Sequence, residues 1–157
     1  MEGVAFLNST EIYGYVLFTQ EDEGVVVRID MYKKNNIGKE SYHGFHIHAS
    51  GDLRRGCDSC CKHYNPKGNQ HGGLFDENSH AGDLGNLKFD AKGNCKDVFK
   101  TNKFSVQEII GRSIIVHQNP DDLGLGEGEF EEESKKTGNS GKRICCSVIG
   151  YSESTCE

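Results

Sequence analysis

At 157 residues the chain is long enough to bury a core as one domain spanning 1–157, and its formal net charge of −6 argues against nucleic acid or an anionic membrane as a partner. No apolar run approaches the roughly 18 residues that a membrane-crossing helix needs. Twenty glycines against two prolines point to many tight turns, and the seven cysteines read at first as reduced thiols.

Met1-Glu2-Gly3-Val4-Ala5-Phe6-Leu7-Asn8 lacks a basic stretch followed by an apolar one, so it reads as a first strand over 3–8 and makes the cytoplasm the expected compartment. Ile12, Gly14, Val16 and Phe18 then alternate with Tyr13, Tyr15 and Leu17. Val25, Val27, Ile29 and Met31 alternate with Val26, Arg28 and Asp30. Period two marks strands with one buried face. Further strands are expected at 42–48, 84–90, 95–101, 113–117 and 143–150, with Ala91-Lys92-Gly93-Asn94 as a hairpin turn. No segment carries a long helical period. The reading is an all-β, eight-stranded antiparallel sandwich or barrel. Two stretches, 49–83 and 118–142, resist strand assignment; loops of that length in a compact domain are usually functional or disordered. The second is acidic, and Glu127, Glu129, Glu131, Glu132 and Glu133 are expected on its outer, solvated side.

Within this frame lie His46, His48, His63, His71, His80, Asp83 and His117. In a strand, an H-x-H pair such as His46-Ile47-His48 points both imidazoles to one face. His63, His71, His80 and Asp83 fall in a Gly/Asn/Asp-rich stretch able to wrap around an ion, and three nitrogens with one carboxylate oxygen suit tetrahedral zinc. His46, His48, His117 and one further imidazole make an all-nitrogen site, which suits copper. Any one of these histidines is more often structural or merely exposed; the set as a whole is not readily explained that way.

The chain resembles the copper/zinc superoxide dismutase family over nearly its whole length. The resemblance rests on Gly44-Phe45-His46-Ile47-His48, His71-Gly72-Gly73, His80-Ala81-Gly82-Asp83-Leu84-Gly85-Asn86, Asp121-Asp122-Leu123-Gly124 and Gly138-Asn139-Ser140-Gly141-Lys142-Arg143-Ile144-Cys145-Cys146, five motifs in order. It implies an immunoglobulin-like, eight-stranded Greek-key barrel with two long functional loops. It implies copper on His46, His48, His63 and His117, zinc on His63, His71, His80 and Asp83, and His63 bridging the two. The implied reaction turns superoxide into dioxygen and hydrogen peroxide, with copper cycling between two oxidation states and His63 as general acid.

Arg143 matches the family's anion-guiding arginine, although an arginine is more commonly a surface residue. Asp121 matches an aspartate that hydrogen-bonds one copper and one zinc histidine; its Asn119-Pro120-Asp121-Asp122 setting would also suit a turn. A Cys57–Cys146 disulfide is implied, with Cys95 and Cys156 as isolated thiols and His43 in a structural hydrogen bond. A homodimer and a copper chaperone are the implied partners. Departures from the family pattern are the paired Cys60 and Cys61, Leu125 where a lysine is usual, Tyr151 near the expected dimer contact, and a longer second loop. Cys57-Asp58-Ser59-Cys60 is also a C-x-x-C able in isolation to bind zinc or cycle redox. The rival readings are a dismutase-like chaperone or low-activity homologue, and a zinc-stabilised interaction module.

Overall fold

The computed structural model describes residues 1–156. Its main elements run β1 (Glu2–Asn8), β2 (Ile12–Glu21), β3 (Gly24–Lys33), β4 (Ser41–His48), β5 (Arg54–Cys57), β6 (Asp83–Phe89), β7 (Asn94–Thr101), α1 (Val106–Ile109), β8 (Ser113–His117), α2 (Glu131–Thr137), β9 (Arg143–Val148) and β10 (Gly150–Tyr151). One sheet orders β10-β1-β2-β3-β7 and the other β6-β4-β8-β9, all antiparallel. The pairing of β3 with β7, and of β4 with both β6 and β8, is Greek-key connectivity.

Eight expected strands are present, and three features differ from the expectation. The expected strand at 143–150 is two: β9 pairs with β8 in one sheet, and after Ile149 the chain crosses to pair β10 with β1 in the other. Period-two reading cannot see a change of sheet, because side chains go on alternating through it. The first long loop holds the short β5, whose Arg54, Arg55 and Gly56 are exposed and carry no apolar alternation. The second holds α2, whose signal is charge rather than hydrophobic period. Glu131, Glu132 and Glu133 open it and Lys135 and Lys136 close it, complementing the helix dipole. Gly138 ends it at φ +77°, where a glycine costs least.

The core fills the space between the sheets and includes Val16, Phe18, Phe45, Ile47, Phe89, Ile114 and Val116. Burying a phenylalanine the size of Phe45 contributes about 1.5–3 kcal/mol. Phe45 and Ile47 point inward from β4, so His46 and His48 point to the sheet's other face. That face is not solvated: His46 is 0% and His48 1% exposed, because the two long loops fold over it. β8 is buried on both faces for the same reason. A bulge at Val116/His117 sets His117 opposite Arg143. Sheet register therefore delivers three histidines and the arginine to one covered surface.

Candidate metal centre

Hydrogen bonds fix which nitrogen of each imidazole is free. His48 Nδ1 donates to the Cys61 carbonyl at 2.8 Å and His117 Nδ1 to the Gly141 carbonyl at 3.0 Å. A carbonyl only accepts, so both rings carry their proton on Nδ1 and leave Nε2 with a lone pair. Asp121 works on the opposite nitrogen: His46 Nε2 and His71 Nε2 donate to its two carboxylate oxygens at 2.6 and 2.7 Å. The atoms left buried without a hydrogen-bond partner are then His46 Nδ1, His48 Nε2, His71 Nδ1 and His117 Nε2, together with Ser140 Oγ. His46, His48 and His117 turn theirs into one cluster while His71 Nδ1 faces Asp83 Oδ1, and buried lone pairs so gathered are costly unless something electron-poor sits between them.

Potential ligand atoms of His46, His48, His63 and His117 all lie within 4.8 Å of one another. Beside them, the Nδ1 atoms of His63, His71 and His80 approach Asp83 Oδ1 at 2.9, 2.9 and 3.2 Å. Asp83 Oδ2 is held by the backbone N–H groups of Gly72 and His80, which leaves Oδ1 to face the rings. His46 also falls within 4.8 Å of His63, His71 and Asp83. His80 fits this second set better, because its Nδ1 is 3.1 Å from His63 Nδ1 and 3.2 Å from Asp83 Oδ1. His63 belongs to both groups, Nδ1 toward Asp83 and its other nitrogen left for the first. An all-imidazole set beside a three-imidazole, one-carboxylate set fits copper and zinc respectively.

The electrostatics agree with neutral rings at His46, His48, His63 and His117. Burial pulls His46 and His48 far below the usual imidazole range, lowers His63, and brings His117 down to about 4. Burial would depress His71 too, but the carboxylates of Asp121 and Asp83 outweigh it and push it up to about 9. Burial would raise Asp83, but hydrogen bonds from His63, His71 and His80 hold it well below the carboxylate range.

Asp121 is buried and bridges the two groups, and it is itself held. Its N–H donates to Asn86 Oδ1 at 2.7 Å, and Asn86 Nδ2 donates back to the Asp121 carbonyl at 3.0 Å. Gly138 lies against it so closely that a Cβ there would collide with Asp121 Oδ1 and His71 Nε2. Sequence reading quoted Asn86 and Gly138 within motifs but gave them no role.

Arg143 donates to the carbonyls of Cys57 and Cys61 at 2.8 and 2.7 Å. With His48, His63 and His117 it lines an open cleft of about 870 Å³, whose rim holds Lys62, Lys135, Lys136, Glu132 and Glu133. Glu132 and Glu133 are solvent-exposed, as expected, and they stand at the cleft's rim. Cys57 is bonded to Cys146, and Cys145 faces the core from the strand's other side. With Cys57 so engaged and Cys60 a buried free thiol, the C-x-x-C forms no redox pair or zinc site. His43 Nδ1 donates to the His117 carbonyl at 2.8 Å, the structural role expected of it.

The family model described as copper/zinc superoxide dismutase (SODC) matches residues 12–149. A superoxide dismutase [Cu-Zn] of Paramecium bursaria Chlorella virus 1 is 43% identical over 145 residues, covering 90% of this chain and 74% of that one. Its namesake from Podospora anserina is 42% identical over 146 residues, covering 91% and 92%. The crystal structure of the clock protein EA4 superposes with a TM-score of 0.88 at 35% identity, over 96% of this chain and 94% of that one. A match of that extent, falling on a chain whose buried donors already sort into an all-nitrogen and a mixed set, places it in the copper/zinc superoxide dismutase family.

Proposed function

We propose that copper is held by His46, His48, His63 and His117 and zinc by His63, His71, His80 and Asp83, with the His63 ring shared. The chemistry is that of the family: dismutation of superoxide to dioxygen and hydrogen peroxide, with copper and zinc as cofactors. Copper, when bound, supplies an electron acceptor and donor through its two oxidation states, whereas zinc has only one. The chain's own residues do the rest. Asp121 fixes the tautomers of His46 and His71, and so aims one free nitrogen at each metal. Arg143, anchored by two carbonyls, presents a permanent positive charge to an anion entering the cleft. His63 would hold copper through the nitrogen not turned toward Asp83, and only with that nitrogen free of the metal would it carry a proton there and give it to the reduced oxygen.

The observation that carries this reading is the set of four partnerless imidazole nitrogens, split three and one between the two groups. Metal analysis of two variants tests it. Asp83→Ala should lose zinc preferentially and His117→Ala copper preferentially. Loss of the same metal from both would refute the two-site assignment.

Residues 1–157 are read as one dismutase domain, supported by a single core cluster drawing on both sheets. No helix among the described residues is long and apolar enough to cross a membrane, and the cytoplasm is the proposed compartment. A homodimer is proposed through the region of Leu53, Val148 and Tyr151, whose apolar side chains are 41%, 38% and 51% exposed. Sedimentation of wild type and Val148→Glu checks it: a monomeric wild type excludes the dimer. A copper chaperone is proposed as the loading partner, to be tested by copper occupancy after expression with and without one.

A further inference from the structure

Three backbone carbonyls of the first long loop converge on one lysine. Lys103 lies between β7 and α1, and its Nζ donates to the carbonyls of Asp83, His80 and Gly73 at 3.0, 3.3 and 3.4 Å. The side chain is partly buried, where lysines usually keep the ammonium in water. Here carbonyl dipoles replace much of that water. Burial lowers its pKa, and the Asp83 and Asp76 carboxylates counter the effect.

The carbonyls belong to two separate turns. Asp83 N–H bonds to the His80 carbonyl at 3.1 Å, closing one. Gly73 N–H bonds to Asp76 Oδ2 at 2.7 Å, closing the other. One ammonium therefore ties together the ends of segment 73–83. Two of its three acceptors are the peptide carbonyls of His80 and Asp83, whose side chains face His63 and His71. Holding a ligand's peptide in place sets where its side chain begins, so the donor atoms need less ordering when the ion arrives.

We propose that Lys103 is a positioning residue for zinc, an internal cation that pre-organises the 71–83 loop and so tightens the metal's binding. The proposal rests on assigning zinc to His63, His71, His80 and Asp83. Its sign is diagnostic. An ammonium near a divalent cation repels it, so if charge alone mattered, removing Lys103 would strengthen zinc binding. If the clamp dominates, removal weakens it.

The test uses the full chain, copper-free, titrated with zinc against a competing chelator, with cobalt as a visible-absorption reporter of four-coordinate geometry. Lys103→Met should weaken zinc binding roughly ten- to a hundredfold, in the range seen when groups supporting metal ligands are removed. Lys103→Arg, which keeps donors and charge, should restore most of the affinity and the cobalt spectrum. In the metal-free Met variant, the amides of Gly72 and His80 should exchange hydrogen faster, since both depend on Asp83 Oδ2 being in place. Unchanged or tighter zinc binding by Lys103→Met would overturn the proposal. Should the Met variant not fold, Lys103→Gln against Lys103→Arg decides, equal affinities counting against it. Asp83→Ala is the control: if it keeps zinc, the ligand assignment fails, whereas if it loses zinc while Lys103→Met keeps it, only the clamp fails.

Discussion

Arg143 and Cys61 show how much one backbone carbonyl can organise. Cys61 sits at φ +64°, ψ −155°, a region that side-chain-bearing residues rarely adopt. Its carbonyl accepts from both His48 Nδ1 and Arg143 Nη2, so one strained peptide orients the His48 ring and the Arg143 guanidinium together. Replacing Arg143 by alanine leaves every metal-facing nitrogen untouched. Arg143→Ala should therefore load both metals normally yet dismutate superoxide roughly ten- to a hundredfold more slowly, the loss of one charge-assisted contact. Wild-type activity in that variant would remove Arg143 from the site. Cys61→Gly should relieve about 1–3 kcal/mol of strain, less about 0.5–1 kcal/mol for the greater freedom of an unfolded glycine. A higher denaturant midpoint at unchanged slope would show it; a lower one would mean the Cys61 backbone is not strained.

Among elements, α2 has the largest bearing on substrate approach. It pins the loops together, since the Lys135 carbonyl accepts from His71 N–H at 2.8 Å and Ser134 Oγ donates to Asp122 at 2.6 Å. Its Glu131–Lys135 and Glu132–Lys136 pairs are exposed and contribute only a few tenths of a kcal/mol each, about the usual value for such pairs. The charge they bring to the cleft matters more. Lys62, Lys135, Lys136 and Arg143 face it together with Glu132 and Glu133, a local excess of basic groups on a chain whose net charge is −6. Steering of the substrate anion by such a field is established for this family, so added salt should slow the reaction. The two glutamates should make that slowing shallow. Replacing Glu132 and Glu133 by glutamine should raise the low-salt rate and steepen the salt dependence. A wild-type rate that climbs with ionic strength would mean that the glutamates dominate.

Over the whole molecule, stability is tied to a cross-link and to the buried imidazoles. The Cys57–Cys146 bridge spans 89 residues of sequence, and the chain-entropy model assigns such a loop about 4–5 kcal/mol. Cys57→Ser should lower the melting temperature and also loosen the Cys57 carbonyl that holds Arg143. The metal-stripped protein should be most stable close to neutrality. An unfolded histidine titrates near 6.5. His117, brought down to about 4 by burial, binds its proton less readily folded than unfolded, so stability falls as pH drops from about 6.5 toward about 4. His46, His48 and His63 are depressed as well and act in the same direction. His71, raised to about 9, stabilises below about 6.5, and that contribution is lost as pH climbs through about 9. Denaturant melts across pH, in chelator, check the bell shape; stability that rose on acidification to about pH 5 would contradict neutral buried rings.

Alternation of apolar and polar residues marks β2 and β3, each with one face on the shared core, whereas β8, buried on both faces, shows none. Strand periodicity dictates that His46 and His48 share a face, and the motifs carry His71, His80 and Asp83 as candidate ligands, whereas His63 and His117 were assigned through the family resemblance. Other features needed the folded chain. The bulge that sets His117 against Arg143, and the break that sends β10 to the opposite sheet, depend on pairing between segments remote in sequence. α2 is too short to show a hydrophobic period, so its place at the cleft's rim is a matter of docking. The tautomers of His46, His48, His71 and His117 follow from carbonyls and a carboxylate supplied by other segments. So do the parts played by Asn86, Gly138 and Lys103, each of which acts on neighbours between 17 and 67 residues away along the chain. Residue types and spacing determined which donors were available; only tertiary packing decided which nitrogen of each ring stayed free, because that depends on what the other nitrogen touches.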